Sequence, residues 1–212
     1  MGSSERRARH KEELRQRILE AAREIIMREG FEALTMRKIA ERVEYSPAAI
    51  YLHFRDRDEI AKQLSREGFA ELFRALEPAA AVEDPVERLR RIAWEYIRFG
   101  MENPETYRLI FMEYKYLAVV FGGDSKERDD PTSRAAFDLL VRTAAELSLQ
   151  VDATPQQIAE TLWAAVHGIV SLKLTCPVFP MSTAQELESI MTSALLRGLT
   201  GSGQTRTSAD SD

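Results

Sequence analysis

The chain has 212 residues, of which 44% are hydrophobic, and its formal net charge is −5. This hydrophobic content is enough to form a buried core, which excludes an intrinsically disordered chain. Cys176 is the single cysteine, so an intrachain disulfide is excluded, and the three histidines lie far apart in the sequence. We therefore expect no metal site and no cofactor.

The charge is distributed unevenly along the chain. Residues 1–70 contain 15 Lys and Arg against 13 Asp and Glu, whereas the remainder contains 14 against 21. A neutral-to-basic N-terminal part followed by an acidic C-terminal part is typical of a protein that binds a polyanion with one end. The sequence has no signal-peptide pattern at its start and no run of about 18 apolar residues. We expect a cytoplasmic protein with no membrane partner.

Apolar residues recur at spacings of three and four along most of the chain, which predicts an all-α protein of about nine helices. The first helix is expected to begin near Leu14, after a flexible basic arm at residues 1–10, and to end at Gly30. Most of the later helices are predicted to begin after a capping residue, and several of these capping residues are followed by proline at the first helical position. The further helices are predicted at about 35–43, 46–54, 56–76, 85–102, 104–119, 132–149, 155–175 and 183–199.

Two segments are predicted to lack regular structure. Phe121 to Pro131 is polar and contains glycine, which is typical of a mobile loop. Residues 200–212 consist mainly of Gly, Ser, Thr and Asp, and we expect a disordered tail there.

The segment from Thr35 to Arg57 is the most informative about function. Two short predicted helices are joined there by Glu44-Tyr45. Their spacing is typical of a helix-turn-helix, whose second helix enters the major groove of DNA. A generic helical hairpin has the same spacing, so the pattern alone leaves both interpretations open. The inward positions of the two helices are Ile39, Ala40, Val43, Ile50 and Phe54.

More specific motifs occur in and around this segment. Thr35-x-x-x-Ile39-Ala40, the run from Ser46 to Phe54, and Arg57-Asp58-Glu59-Ile60 resemble the signature of the tetracycline-repressor (TetR) family of transcription regulators. The resemblance covers roughly residues 12–65. The sequence departs from the common pattern at Glu44 and Ala48, where many members have glycine.

This resemblance implies a nine-helix fold, a two-fold dimer and a ligand pocket in the C-terminal part. Trp163-x-x-x-His167-Gly168 is also similar to a C-terminal motif of one branch of the family, and the residues from Asn103 to Phe111 fit that branch. The implied organisation is an arm at 1–10, a helix-turn-helix DNA-binding domain at 11–57, an effector-binding and dimerisation domain at 58–199, and a tail at 200–212.

The recognition helix contains few side chains that read bases. Between Pro47 and Phe54 there is no Arg, Lys, Asn or Gln, the residues that form paired hydrogen bonds with guanine or adenine. Small apolar residues remain for thymine methyl groups, and hydroxyl, imidazole and cationic groups remain for phosphates. The candidate DNA contacts are Thr35, Arg37, Lys38, Ser46, Pro47, Ala48, Ala49, Tyr51, Leu52, His53 and Arg57.

Several of these residues have a purely structural alternative. In this alternative Thr35 and Ser46 serve only as helix caps, and Tyr51 belongs to the core. The basic residues that precede the first predicted helix form either a solvated tail or an arm that enters the minor groove. They are Arg6, Arg7, Arg9 and Lys11.

The C-terminal part is rich in aromatic residues and methionine. Most of these side chains are required for the core, and a subset that lines a cavity would fit an apolar or aromatic ligand. For His167, a satisfied buried histidine is the alternative to a ligand contact. The candidate ligand-binding residues are Trp94, Phe99, Tyr107, Phe111, Met112, Trp163 and His167.

The last two predicted helices are apolar on more than one face. The surplus predicts a four-helix interface between two copies of the chain, the alternative being burial within one chain. The candidate dimerisation residues are Val166, Ile169, Val170, Ile190, Met191, Ala194 and Leu195.

These observations predict a dimeric DNA-binding regulator, in the form of a repressor that a small hydrophobic ligand releases from a palindromic operator. The expected partners are double-stranded operator DNA, a small-molecule effector and a second copy of the chain. A regulator without a small ligand, and a helical enzyme or interaction protein, are the alternatives. The sequence contains no nucleophile–base, metal or phosphate-loop motif, which argues against an enzyme.

Overall fold

The computed structural model describes residues 3–112, 131–176 and 178–201. It contains nine α-helices and no strand within these ranges, as the periodicity predicted. Two short 3₁₀ turns, Phe31–Ala33 and Glu77–Ala81, connect neighbouring helices. The helices are α1 Ser3–Glu29, α2 Met36–Val43, α3 Pro47–Tyr51, α4 Arg57–Leu76, α5 Pro85–Glu102, α6 Pro104–Phe111, α7 Pro131–Ala145, α8 Pro155–Thr175 and α9 Ala184–Thr200.

The first helix begins earlier than expected. We expected a flexible arm at residues 1–10 and a helix from Leu14, but α1 is already helical at Ser3. Leu14 is its first buried residue, so apolar periodicity marks only the buried part of the helix. No glycine or proline interrupts α1, and pairs such as Gln16 with Glu12, 2.8 Å apart, support its exposed face.

Some predicted segments differ in length or lie outside the described residues. The third helix ends at Tyr51 and is followed by a turn, rather than continuing to Phe54. Helix α6 ends at Phe111 with Met112 as its C-cap, and residues 113–119 of the helix predicted at 104–119 lie outside the described residues. The loop predicted from Phe121 to Pro131 also lies outside them except for Pro131, which is the first residue of α7, and so does the tail from residue 202. Thr200 itself is the last residue of α9, which Gly201 ends in the left-handed conformation at φ 69°.

The chain divides into two compact units. The N-terminal unit contains the residues up to Ala70 together with α6, and the C-terminal unit contains Glu71 to Glu102 and the residues from Arg134 onwards. We expected a boundary near residue 57. The first part of α4 belongs with the preceding helices because Ile60 and Leu64 are buried in their core.

One hydrophobic core joins α1, α2, α3, α6 and the start of α4 in the N-terminal unit. The inward side chains of the helix-turn-helix segment are almost fully buried there, as its spacing predicted. Burying such a side chain contributes roughly 1.5–3 kcal/mol, so this core fixes the short helices α2 and α3, which could not form alone. Its members include Ile18, Ile25, Ile39, Val43, Ile50, Phe54, Ile60 and Leu109.

The C-terminal unit is built around α5, which packs against α8 and α9, while α8 also packs against α9. Helices α8 and α9 begin with reciprocal capping boxes, at Thr154 with Gln157 and at Thr183 with Glu186. Among the described residues, no helix combines the length and apolar character that crossing a bilayer requires.

Candidate functional site

Helix α2 is fixed at both ends by local geometry. The Thr35 hydroxyl oxygen accepts a hydrogen bond from the Lys38 amide at 3.2 Å, which is an N-cap interaction. At the other end Glu44 adopts the left-handed conformation, with φ 61° and ψ 39°. A residue with a Cβ pays for that conformation, which explains why glycine is common at this position in the family signature.

Helix α3 presents a small, exposed outer face. The Ser46 hydroxyl oxygen accepts from the Ala49 amide at 3.3 Å, and Pro47 occupies the first helical position. Ile50 is fully buried, whereas Tyr51 is 55% exposed and Leu52 78% exposed. Tyr51 is therefore not a core residue. Pro47 and Ala48 are exposed and Ala49 is half-buried on the same short helix.

Two arginines of α1 hold the ends of α2 and α3, and the sequence reasoning did not identify them. Arg17 Nη2 donates to the carbonyl oxygen of Val43 at 3.0 Å, and Arg15 Nη1 donates to that of His53 at 3.2 Å. The Arg15 guanidinium also lies 4.2 Å from the centre of the Phe54 ring. Cations at the carbonyl ends of helices are electrostatically favourable. The pairs are 26 and 38 residues apart, so no local sequence signal links them.

The predicted cationic contacts lie beside acidic partners. Arg37 is bonded to Glu41 at 2.8 Å and Lys38 to Glu29 at 2.6 Å, while the Arg37 side chain stays 84% exposed. The hydrogen bond and charge of Lys38 lower the pKa of Glu29 below its usual value. The positive charges of Arg37 and Lys38 are therefore partly neutralised by the neighbouring carboxylates.

Arg57 has a structural role in the N-terminal unit. Its Nη1 lies 3.4 Å from the carbonyl oxygen of Leu34, and its guanidinium lies 5.3 Å from the centre of the Phe31 ring. These contacts tie the start of α4 to the segment that follows α1. The prediction of a DNA contact at Arg57 stays a prediction.

His53 is half-buried after the end of α3. Its Nδ1 is buried and has no hydrogen-bond partner within the described part of the chain. Burial is the main cause that lowers the His53 pKa, and the positive charges of Lys11 and Arg15 lower it further. The imidazole is therefore neutral at pH 7 in the isolated chain, and it lies in an electropositive setting near the N-terminal part of α1.

The predicted ligand residues belong to both units. In the N-terminal unit Tyr107 is fully buried, and its ring centre lies 4.8 Å from that of Phe111. Phe111 also contacts Phe69 edge-on, with ring centres 5.6 Å apart. Met112, which follows, is half-buried. These side chains form an aromatic cluster within that unit.

A second cluster in the C-terminal unit combines aromatic rings with a chain of hydrogen bonds. Trp163 Nε1 donates to the Tyr96 hydroxyl at 3.0 Å, and that hydroxyl lies 3.3 Å from Nδ1 of His167. Burial lowers the pKa of His167, so the imidazole is neutral. We assign Nδ1 as the acceptor, because the Tyr96 oxygen already accepts from Trp163. The Phe137 ring centre lies 6.0 Å from that of Trp163.

Tyr96 was absent from the predicted ligand set, although it joins Trp163 and His167. Tyr96 lies three residues before Phe99 and so shares its apolar helix face. A tyrosine at such a position is expected to be buried, and its hydroxyl then needs a hydrogen-bond partner; this was the available sequence signal. Trp94 and Phe99, which were in the set, are half-buried and buried on the same helix. The described residues contain no group of three or more His, Cys, Asp or Glu that could hold a metal ion.

The candidate dimerisation residues differ in what they expose. Val166, Ile169 and Val170 are 5%, 8% and 0% exposed within the single chain, so they have little surface left for a partner. On α9 the buried side chains are Glu188, Thr192 and Leu196. The outward face of this helix carries Ile190, 70% exposed, with exposed Ala194 and half-buried Met191 and Leu195.

Both the N-terminal and the C-terminal part of the chain match known protein families. Residues 18–64 match the family described as bacterial regulatory proteins of the tetR family. Residues 89–195 match a tetracyclin repressor-like C-terminal domain, and this match alone spans half of the chain. The relation to the branch with the Trp-x-x-x-His-Gly motif stays a prediction.

Individual relatives have names consistent with this family. The chain is 26% identical over 125 residues to YfiR of Bacillus subtilis, an uncharacterised helix-turn-helix-type transcriptional regulator, covering 50% of this chain and 60% of that protein. It is 29% identical over 123 residues to the transcriptional repressor AcnR of Corynebacterium efficiens, covering 58% of this chain and 55% of AcnR. The matches thus span little more than half the length of these relatives.

Solved structures share the fold over most of the chain. A protein of unknown function from Rhodococcus sp. RHA1 has a TM-score of 0.73 and 26% identity, covering 88% of this chain and 95% of that one. AibR, solved with isovaleryl coenzyme A and operator DNA, has a TM-score of 0.66 and 19% identity, covering 86% and 97%. Proteins of this class regulate transcription by binding DNA and are not enzymes. With both of its parts matched, the chain belongs to the tetR family of bacterial transcriptional regulators.

Proposed function

We propose that this chain is a dimeric repressor that binds a palindromic operator through α2 and α3 and is released by a small, largely hydrophobic ligand. The observation that most supports the DNA-binding part is the exposure of Tyr51 at the end of α3 and of its C-cap Leu52, while Ile50 on the opposite face of the helix is fully buried. A short helix fixed in this way can enter a groove as a rigid body.

The chemistry of α3 favours close approach over paired hydrogen bonds to bases. Ala48, Ala49 and Leu52 offer methyl groups to thymine, and Tyr51 offers a phosphate its hydroxyl. The exposed Arg37 adds a cation at the start of α2. Further basic residues lie on the exposed first turns of α1, so operator affinity should depend strongly on salt.

The outward face of α9 supports the dimer. Ile190 is 70% exposed although the inward face of the same helix contains Glu188 and Thr192, whose side chains bond to each other at 3.0 Å. A helix at the surface of a monomer normally exposes polar residues and buries apolar ones, whereas α9 exposes Ile190 and buries a polar pair. A second copy that packs on Ile190, Met191 and Ala194 would remove this apolar surface from water.

The charges of the C-terminal unit favour a neutral or cationic effector over an anionic one. The tyrosine–tryptophan–histidine cluster contains a neutral imidazole, as its lowered pKa indicates. Arg98, a candidate counter-ion for an anion, is already bonded to Glu95 and Glu102. In the N-terminal unit Arg108 is likewise bonded to Glu105. AibR, with the same fold, was solved with isovaleryl coenzyme A and operator DNA. That ligand is itself anionic, so it is a precedent for a small-molecule effector in this fold and not for a neutral one.

Release would follow from a difference in ligand affinity between two states of the dimer. A ligand that binds better to a state with a different separation of the two recognition helices lowers operator affinity by that difference. A regulator without a ligand would lack this coupling, which makes the coupling the property to measure.

The test starts with operator selection from random duplex DNA, followed by a compound screen on the full-length chain. We expect at least one neutral or cationic apolar compound that both raises the melting temperature and releases the selected DNA. Gly168→Trp should abolish the release, whereas Gly168→Ala should preserve it, because a Cβ at Gly168 meets nothing within 4 Å. Absence of selected DNA would contradict the regulator, and absence of releasing compounds would favour the ligand-independent alternative.

A further inference from the structure

A groove lies between the end of α1 and α6, entirely within the N-terminal unit. Its volume is about 320 Å³, which lies at the lower end of the range for small-molecule sites. The aromatic cluster around Trp163 belongs to the other, C-terminal unit. The proposed effector function does not require the groove.

The floor of the groove is apolar. Ile26 and Leu109 are 4% and 5% exposed there, and the half-buried Phe31 also lines it. Met27 lies beside them and is 60% exposed, although its neighbour Ile26 is buried. A flexible, polarisable methionine at the side of an apolar floor adapts to occupants of different shape.

The rim of the groove carries an excess of positive charge. Arg108 and Glu105 both line it and pair with each other, so their charges largely cancel. Arg28 also lines the groove; among the described residues it has no hydrogen bond or close ion pair, although its charge contributes to lowering the pKa of the adjacent Glu29. The groove therefore combines an apolar floor with one cation that no hydrogen bond or close ion pair holds in place.

Gly30 lines the groove where it is open to solvent. This glycine has φ 81°, and a Cβ there would meet nothing within 4 Å. A narrower groove, called here the α1–α6 extension, continues along α1 towards Arg23 and Leu64. The extension has a volume of only about 20 Å³, which is room for little more than one water molecule, so an apolar body has to lie in the main groove with its charged end at Arg28.

We propose that the groove between α1 and α6 binds a small amphipathic molecule with an apolar body and one negative group. The apolar body lies on Ile26 and Leu109 beside Met27, and the negative group pairs with Arg28. An occupant contacts both helices at once, and it stabilises their packing by mass action.

The probe for this site is 1-anilinonaphthalene-8-sulfonate, which has an aromatic body, one sulfonate and fluorescence that rises in apolar surroundings. Titration of the full-length chain should show one saturable site per chain. With methyl-labelled methionine, the Met27 resonance should shift along the same binding curve, while that of Met101 in the C-terminal unit stays in place. Met27→Leu assigns the resonance.

Two pairs of variants locate the charge and the apolar body. Arg28→Glu should weaken binding about tenfold through loss of the ion pair, whereas Arg142→Glu, at an exposed arginine of α7, should change it less than twofold. Met27→Trp should block the site, and Met101→Trp should not.

The proposal is overturned if the Met27 resonance does not move while fluorescence saturates, because the probe then binds elsewhere. Equal effects of Arg28→Glu and Arg142→Glu would also overturn it, as would absence of binding at about 1 mM probe. Since the titration uses no DNA and no effector, its result is independent of whether the proposed repressor function holds.

Discussion

The guanidinium of Arg17 donates a hydrogen bond of 3.0 Å to the carbonyl oxygen of Val43, the last residue of α2, and lies 5.6 Å from the centre of the Tyr45 ring. One side chain of α1 thus contacts both the end of α2 and the turn that leads to α3. The next residue after Val43 is Glu44, in its left-handed conformation. The angle between α2 and α3 therefore rests on a short segment that Arg17 holds in place.

Removing this contact should lower the stability of the folded chain. Arg17→Ala loses the hydrogen bond to Val43 and the contact with Tyr45, and we expect the free energy of unfolding to fall by about 1–2 kcal/mol. Urea denaturation measures this change. Arg142→Ala, at an exposed arginine of α7, should change it by less than about 0.5 kcal/mol. An unchanged stability of Arg17→Ala would show that water replaces the contact without loss.

Replacing Glu44 should have the opposite effect on stability. Glycine adopts the left-handed conformation without the cost of a Cβ, so Glu44→Gly should raise the free energy of unfolding by up to about 1 kcal/mol. Glu44→Ala retains the Cβ and serves as the control, which should not stabilise. Thermal denaturation of the three proteins under one condition compares them. If both variants shift the melting temperature equally, the carboxylate rather than the backbone is responsible.

The helix-turn-helix could be predicted from local signals because its caps and buried positions are encoded within a few residues. Thr35 and Ser46 cap α2 and α3 as their sequence context predicted, and Ile50 and Phe54 are buried at the expected spacing. The two cap residues are also exposed. Capping therefore leaves open whether they contact DNA as well.

Other features depend on pairs of residues that are distant in the sequence. A Cβ at Gly68 would lie 2.8 Å from a methyl group of Ile110, so the close approach of α4 to α6 requires glycine at this position. Nothing near Gly68 in the sequence indicates that partner. Periodicity likewise identified an apolar stripe on α9 but could not show that Glu188 and Thr192, rather than Ile190, face inwards.

The proposed phosphate contacts should weaken DNA binding without changing sequence preference. Tyr51→Phe and His53→Ala each remove one polar group, and we expect roughly three- to tenfold weaker binding to the selected operator and to random duplex alike. Tyr45→Phe keeps the ring beside Arg17 and should leave binding unchanged. Fluorescence anisotropy at several salt concentrations measures both affinities. A loss confined to one base position would show that these residues read sequence instead.

A charge on the outward face of α9 should separate the proposed dimer. Ile190 is 70% exposed, so Ile190→Asp should leave the folded chain intact while placing a carboxylate in the interface. Light scattering should give about twice the 24.1 kDa chain mass for the unmodified protein and the single chain mass for the variant. Met27→Asp is the control, at a methionine of similar exposure in the N-terminal unit, and should leave the mass unchanged. A dimer that survives Ile190→Asp would place the interface elsewhere.

Acidification should destabilise the folded chain in a way that depends on His167. Burial lowers the pKa of His167 in the folded state, so the unfolded chain binds more protons once the pH falls below the ordinary histidine pKa of about 6.5. Stability is therefore unaffected by this group at pH 7.5 and decreases from about pH 6.5 down to the folded-state pKa. His53, whose pKa is also lowered by burial, contributes in the same direction.

His167→Asn should reduce the decrease in unfolding free energy between pH 7.5 and 5.5, measured by urea denaturation at each pH. The lowered pKa values of Glu29, Asp56 and Glu186 affect stability only at more acidic pH, below the ordinary carboxylate range. A decrease of the same size in His167→Asn would show that this imidazole is not held neutral by the fold.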